Sequence, residues 1–128
     1  MREFKLSFTA RAGDIDELGH VNNAVWVRWV QDLATAHWAV VATPAQVARY
    51  VWVVVRHEVD YRGNLKEGES VVGRTWVAEE AVGAKFDRYA EFLKEGRVIV
   101  RASTTWAILA RDSGRPLRVP NDILLRFA

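Results

Sequence analysis

Residues 22–41 constrain the fold most, because this segment contains neither Gly nor Pro and carries a single narrow polar stripe. The stripe repeats at i, i+3, i+4 and i+7 and consists of Arg28, Gln31, Asp32 and Thr35. Most of the other positions are Ala, Val, Leu or Trp. This spacing predicts a helix that is apolar over most of its circumference and is therefore buried on most sides. Asn22 or Asn23 is a suitable N-cap, and Thr43-Pro44 should end the helix.

The rest of the chain alternates apolar and polar residues with the period of two that is typical of half-buried strands. One such segment, residues 4–10, precedes the helix, and four follow it, beginning near residues 55, 71, 84 and 98. The predicted helix must be covered on most sides, and the chain offers about five strands to cover it. The simplest packing is an antiparallel sheet that curls around the helix. Edge strands and the uncovered face of such a sheet favour pairing with another copy.

The composition excludes several classes of function. The chain has 128 residues, which leaves room for one domain only, and no cysteine, which excludes disulfides, thiolate zinc sites and a cysteine nucleophile. Its three histidines lack a partner at metal-ligand spacing, and its 18 basic and 16 acidic residues are interleaved rather than gathered into a nucleic-acid-binding patch. There is no apolar stretch of membrane-span length and no signal-peptide pattern. We therefore expect a cytoplasmic protein with no metal, no nucleic-acid partner and no membrane partner.

The polar loop before the helix holds the residues that could carry chemistry. Residues 13–23 read Gly-Asp-Ile-Asp-Glu-Leu-Gly-His-Val-Asn-Asn, with three carboxylates, a histidine and two amides. A helix N-terminus presents free N–H groups and a positive partial charge, which can polarise a carbonyl and hold a developing oxyanion. A nearby carboxylate can activate water or attack the carbonyl itself, and Gly19 permits a tight turn or close approach to a ligand. The loop thus fits acyl transfer by hydrolysis, although Asp and Asn in such loops commonly make only turns and caps.

Residues 14–23 resemble the signature of the 4-hydroxybenzoyl-CoA thioesterase family of hotdog-fold proteins. The resemblance continues through the long helix, the His57-Glu-Val-Asp-Tyr segment and the Gly-Arg-Pro string at residues 114–116. It implies a hotdog fold over residues 1–128, in which a five-stranded antiparallel sheet wraps around one helix. It also implies hydrolysis of acyl-CoA thioesters without a metal or organic cofactor. The expected assembly is a homodimer or homotetramer with active sites at the protomer interface.

The resemblance further implies roles for individual residues. Asp16 matches the family's catalytic acid, acting as nucleophile or as general base on water. The site residues implied are Asp16, His20 and Asn23 for catalysis and Gly19, Asn22 and Trp26 for substrate binding. The plant acyl-carrier-protein thioesterases have a similar Asp-x-x-x-His spacing, but Leu18 stands here in place of their Asn. Trp26 likewise stands where relatives usually carry Tyr, which would reshape the acyl pocket.

Two other functions stay open from the sequence. A hotdog hydratase or dehydratase would pair His20 with a carboxylate on the helix, for which Asp32 is the nearest equivalent. A non-catalytic acyl-CoA or acyl-carrier binding protein would not need Asp16. His57 is expected to be a core or interface histidine. Four arginines could hold the CoA phosphates, although a solvated face is the expected position of each: Arg56, Arg62, Arg88 and Arg101.

Overall fold

The computed structural model describes residues 2–128. Its five strands form one antiparallel sheet in the order β1-β3-β4-β5-β2. The strands are β1 (Phe4–Thr9), β2 (Tyr50–Tyr61), β3 (Ser70–Val77), β4 (Lys85–Lys94) and β5 (Arg97–Ala110). The helices are α1 (Asn23–Val41), α2 (Pro44–Arg49) and α3 (Asn121–Phe127). This arrangement confirms the predicted α+β architecture of one long helix against a five-stranded sheet.

The ends of α1 follow from local sequence. Asn22 is the N-cap, and its side-chain oxygen accepts a hydrogen bond from the Ala24 backbone N–H. The helix ends before Thr43-Pro44, as predicted, and Thr43 then caps α2 with Pro44 in the first helical turn. Gln46 completes a capping box with Thr43. The sequence did not predict α2, because its six residues are too few to show a helical period.

Within one chain, α1 is buried on one face rather than on most sides. Seven of its 19 residues are buried, and they are Val25, Trp26, Trp29, Val30, Leu33, Ala34 and His37. The polar stripe is exposed, as predicted, but the exposed face also includes apolar residues such as Val40, which is 68% exposed. Gly73 on β3 allows the sheet to approach α1 closely, since a Cβ there would lie 3.1 Å from the Leu33 side chain.

The buried side chains form two clusters along α1. The first surrounds its N-terminal half and includes Leu65, Phe92 and Val100. The second lies at its C-terminal end, where Ile123 and Phe127 of α3 close the core. The sequence predicted only an apolar turn at residues 123–125. The turn becomes a helix because it has a sheet and a helix end to pack against. No helix within residues 2–128 combines the length and the apolar character needed to cross a membrane.

A register shift between Val54 and Arg56 interrupts the predicted alternation of β2. The extra residue, Val55, is half exposed instead of sharing the inward face with His57. His57 is partly buried, and its Nδ1 lies 3.0 Å from the hydroxyl of Thr104 on the neighbouring strand. Burial lowers the pKa of His57. The structure therefore places His57 in the sheet as a hydrogen-bonded, partly buried residue, as expected.

Candidate active site

The loop before α1 folds into a short hairpin that leads straight into the helix. The backbone N–H of Asp16 donates to the carbonyl of His20 at 2.8 Å, and the N–H of Asn22 donates to the carbonyl of Asp14 at 2.9 Å. Asp16 is therefore paired with His20, which precedes the N-cap Asn22 by two residues. Two residues of extended chain span roughly 7 Å. The hairpin fixes the distance between the Asp16 carboxylate and the start of α1.

Val21 anchors this hairpin to the body of the protein. Its side chain is completely buried, and its N–H donates to the carbonyl of Leu65 at 3.0 Å. Val21 also forms an isolated antiparallel bridge with Ile15 across the hairpin. The polar residues between them, of which Asp16 and His20 are half-buried and Glu17 is exposed, are thus held on a rigid support.

The carboxylate of Asp16 is held by the main chain. Its Oδ1 accepts from the N–H of Leu18 at 2.9 Å and from the N–H of His20 at 3.3 Å. Gly19 closes the turn with a φ of +81°, a conformation that favours glycine. No donor within residues 2–128 bonds Oδ2 of Asp16, so this oxygen is available to a ligand or a water molecule.

The first turn of α1 also offers an unused donor. The N–H of Ala24 donates to the Asn22 side chain and the N–H of Val25 to the Asn22 carbonyl, both at 2.9 Å. The N–H of Asn23 has no acceptor in the described part of the chain. Because α1 has 19 residues, its N-terminus also carries a positive partial charge. A ligand oxygen placed here would meet a free N–H and a favourable field.

Asp14 is occupied by structural contacts. Its Oδ2 accepts from the backbone N–H of Arg11, and its Oδ1 accepts from the guanidinium of Arg28, both at 3.0 Å. The hydrogen bond from the Arg11 backbone, assisted by Arg28, holds the pKa of Asp14 below its usual value. Of the two aspartates in the loop, only Asp16 therefore keeps a free oxygen.

The remaining predicted site residues lie at different depths. The side chain of Asn23 is exposed and that of His20 is half-buried, and both are next to the hairpin. Trp26 lies behind them in the core, completely buried, with its ring 5.1 Å from Trp29 and 5.3 Å from Phe92 between centroids. The indole N–H of Trp26 has no acceptor among residues 2–128. Its predicted contact with substrate stays a prediction.

Tyr61 is a residue of this region for which the sequence analysis predicted no role. It ends β2, and its hydroxyl donates to the backbone carbonyl of Asn23 at 3.4 Å. Burial raises the pKa of Tyr61, so the hydroxyl stays protonated. Its position at the end of an alternating strand was visible in the sequence, but its proximity to α1 depends on the packing of β2.

Asp32 lies far from the hairpin. It is exposed on α1 ten residues beyond the N-cap Asn22, or roughly 15 Å at 1.5 Å per residue. The pairing of His20 with Asp32 that a hydratase would use is therefore not formed within one chain.

The expectation that Arg88 lies on a solvated face is wrong. Arg88 shares the inward face of β4 with Phe86 and Ala90 and is buried with them. Its Nη1 lies 2.9 Å from Nδ1 of His37 and 3.1 Å from the hydroxyl of Thr75. The alternation was a signal for burial, but a charged residue in such a pattern normally indicates the exposed face.

The other three arginines match their expected positions better. Arg101 is exposed on the outer face of the sheet, where it binds the buried carboxylate of Glu91 together with Arg74. Arg56 is also exposed and pairs with Glu58, while Arg62 is exposed beyond the end of β2. None of these three forms an ion pair with Asp16 within residues 2–128.

Comparison with known proteins gives consistent matches. The thioesterase-like superfamily matches residues 10–127. A predicted thioesterase from Bacillus stearothermophilus is 26% identical, with 98% of this chain and 94% of that one covered and a TM-score of 0.85. An aspartate-to-asparagine mutant of 4-hydroxybenzoyl-CoA thioesterase, solved with 4-hydroxybenzoyl-CoA, is 16% identical over 100% of both chains with a TM-score of 0.88.

A plant protein, the chloroplastic acyl-acyl-carrier-protein hydrolase FATB3 of Cuphea viscosissima, is 24% identical over 83 residues. That match covers 63% of this chain but only 20% of the plant protein. Together with the structural matches, it agrees with the resemblance found in the sequence, and the structural matches confirm the predicted hotdog fold.

Proposed function

Because the chain belongs to the thioesterase-like superfamily, we propose that it is an acyl-CoA thioesterase with Asp16 as its catalytic carboxylate. The observation that carries this proposal is the position of the Asp16 carboxylate in the hairpin that leads into α1. One of its oxygens is fixed by backbone N–H groups, and the other has no donor among residues 2–128. A fixed carboxylate beside a helix N-terminus supplies both the base or nucleophile and the oxyanion donors that acyl transfer requires.

In the general-base route, the free oxygen of Asp16 removes a proton from water while the water oxygen adds to the thioester carbonyl carbon. The carbonyl oxygen becomes negative and is stabilised by the N–H of Asn23 and by the positive end of α1. The C–S bond then breaks, and the CoA sulfur takes the proton that Asp16 carried. The products are the free acid and CoA, and Asp16 is again a carboxylate.

In the nucleophilic route, Asp16 itself attacks the carbonyl carbon and expels CoA as a thiolate. The mixed anhydride that forms is then hydrolysed by water, which restores the carboxylate and releases the acid. Both routes place the carbonyl oxygen at the start of α1. Both also proceed without a metal or an organic cofactor.

The neighbouring residues have supporting roles in this proposal. His20 donates its N–H to Asp16, and its half-buried ring is positioned to orient the substrate or a water molecule. Asn22 holds the first turn of α1 through its cap, and Asn23 contributes both its N–H and an exposed amide side chain. Gly19 gives the turn its shape, and a Cβ there would meet nothing within 4 Å.

We further propose that the functional unit is a homodimer or homotetramer acting in the cytoplasm. β2 is an edge strand of 12 residues, and Val53 and Val55 on it are 38% and 51% exposed. A long edge strand with exposed valines favours pairing with the same strand of another copy. The exposed Val40 at the end of α1 adds apolar surface that a second protomer would cover.

The test is a panel of CoA thioesters with aromatic and aliphatic acyl groups, including 4-hydroxybenzoyl-CoA, with free-thiol release as the readout. We expect thiol release with at least one member of the panel and its loss in Asp16→Asn. Binding of the thioesters without thiol release would instead identify a non-catalytic acyl-CoA binding protein. Hydration of an enoyl-CoA without thiol release would identify a hydratase.

A further inference from the structure

A cavity of about 230 Å³ lies at the opposite end of α1 from Asp16. Six of its 14 lining residues are aromatic, including Trp38, Trp52, Phe86, Trp106 and Phe127. Its charged lining residues are Arg88, Arg111 and Asp87. Ala34 is the cavity residue nearest to the N-terminus of α1, and it is 11 residues beyond Asn23, or roughly 16 Å along the helix. A small ligand in this cavity therefore does not reach the Asp16 carboxylate of the same chain.

Arg88 brings a buried positive charge to the wall of this cavity. The residue is only 6% exposed, and no carboxylate of residues 2–128 lies within salt-bridge distance of it. Its hydrogen-bond partners are His37 and Thr75, neither of which is anionic. The ring of Phe127 lies 5.5 Å from the guanidinium carbon, within the distance of a cation–π interaction. A buried charge of this kind is costly unless an anion pairs with it.

The Arg88 guanidinium also has N–H donors that make no hydrogen bond within residues 2–128. Both of its protein hydrogen bonds involve Nη1, and Nε and Nη2 have no acceptor in the described part of the chain. Trp106, on the same wall, has a buried indole N–H that likewise lacks an acceptor there. An apolar cavity whose wall carries an uncompensated cation and unused N–H donors is suited to a ligand with an anionic end and an apolar body.

We propose that this cavity binds an amphiphilic carboxylic acid, with its carboxylate on Arg88 and its apolar body between Trp38, Trp52 and Phe86. A guanidinium fork matches the two oxygens of a carboxylate, which would supply the missing counter-charge. At about 30 Å³ for each water-sized group, the cavity holds roughly eight such groups, the size of a medium-length aliphatic chain. This inference rests on the cavity alone and does not depend on the proposed hydrolysis.

The first experiment compares octanoate with octanol on the wild-type protein by titration calorimetry and by thermal unfolding. The two probes share an apolar chain and differ in the anionic end. We expect octanoate to bind at least about tenfold more tightly, as the gain of one charge-assisted hydrogen bond would give, and to raise the melting temperature more. Equal binding of the two probes, or no octanoate binding, would overturn the proposal whatever the variants do.

The second experiment locates the carboxylate. Arg88→Met should weaken octanoate binding at least about tenfold, leave octanol binding unchanged and not lower the melting temperature, because it removes a buried charge without a counter-ion. Arg88→Lys, which keeps the charge, should retain part of the octanoate affinity. Arg97→Met removes an exposed cation away from the cavity and should leave octanoate binding unchanged. Full octanoate affinity in Arg88→Met, or its loss in Arg97→Met, would contradict the assignment.

Discussion

His20 donates its backbone N–H to Oδ1 of Asp16 at 3.3 Å, whereas no hydrogen bond joins the His20 ring to that carboxylate. The two residues are therefore linked through the main chain, and the link survives replacement of the His20 side chain. The same Oδ1 accepts the N–H of Leu18, so one oxygen of Asp16 maintains the turn while the other has no donor among residues 2–128. The structural role of Asp16 therefore lies in one carboxylate oxygen, and its proposed catalytic role lies in the other.

Asp16→Asn should lower the turnover of a CoA thioester at least about a hundredfold, because it removes both the base and the nucleophile. The amide oxygen of Asn can still accept the N–H groups of Leu18 and His20, so the melting temperature should stay unchanged. Free-thiol release and thermal unfolding measure the two effects. Glu17→Gln is the matched control, since Glu17 is an exposed carboxylate in the same turn. If Asp16→Asn keeps near-normal turnover, Asp32 is the next carboxylate to replace.

Asp16→Ala should behave differently from Asp16→Asn in stability. It removes the oxygen that accepts the backbone N–H groups of Leu18 and His20. Each of these hydrogen bonds contributes about 1 kcal/mol net to the free energy of unfolding. We expect the free energy of unfolding to fall by about 1–2 kcal/mol in Asp16→Ala relative to Asp16→Asn. Urea unfolding of the two variants provides the measurement. Equal stability would show that the turn does not depend on this carboxylate oxygen.

His20→Ala should lower turnover by less than Asp16→Asn does, because we assign the His20 ring an orienting role. A neutral imidazole donates one hydrogen bond and accepts another, so His20→Asn and His20→Gln should recover part of the loss. The thioester panel used for Asp16 measures all three variants. A loss in His20→Ala as large as that in Asp16→Asn, with no recovery by the amides, would show that His20 itself transfers a proton.

Much of this site could be predicted from the sequence because it is local. The N-cap Asn22, the glycine turn at Gly19 and the carboxylate of Asp16 all lie within seven residues, so their arrangement depends on nearby backbone geometry. The depth of Trp26 could not be predicted in this way. Whether a residue in the first turn of α1 faces substrate or core depends on partners such as Phe92, which the chain reaches only through β4.

The alternation along β4 places Arg88 on the face of Phe86 and Ala90, but the partners that accommodate its buried charge could not be predicted. Its partners His37 and Thr75 are 51 and 13 residues away in sequence and belong to two other elements. In the proposed assembly, a second chain would cover apolar surface that α1 leaves open within one chain. The order of α1 and the five strands along the chain and the capping of α1, in contrast, follow from hydrophobic periodicity and local hydrogen bonds, and both were predicted.

We predict a homodimer or larger assembly at micromolar protein concentration, with a total interface of about 2,000 Å² or more. Val53→Asp places a charge on the edge strand β2 and should shift the assembly towards the 14.5 kDa monomer. Val72→Asp is a matched control, because Val72 is an equally exposed valine on β3, which is paired on both sides. Light scattering distinguishes the outcomes. A wild-type monomer would contradict both the assembly and a site shared between protomers.

Acid should destabilise the protein through His37. Burial, together with the nearby charge of Arg88, lowers the pKa of His37 from 6.5 to about 4. The unfolded chain therefore takes up a proton as the pH falls from 6.5 towards 4, while the folded chain does not, so the free energy of unfolding should decrease by up to about 3 kcal/mol across that window.

His37→Asn keeps an acceptor for Arg88 but does not titrate, so urea unfolding should show a smaller decrease, with His57 supplying part of what remains. In Asp14→Asn most of the decrease between pH 6.5 and 4 should persist, because the pKa of Asp14 is lowered from 3.8 and its effect on stability lies mostly below pH 4. An unchanged pH dependence in His37→Asn would show that His37 does not cause the acid sensitivity.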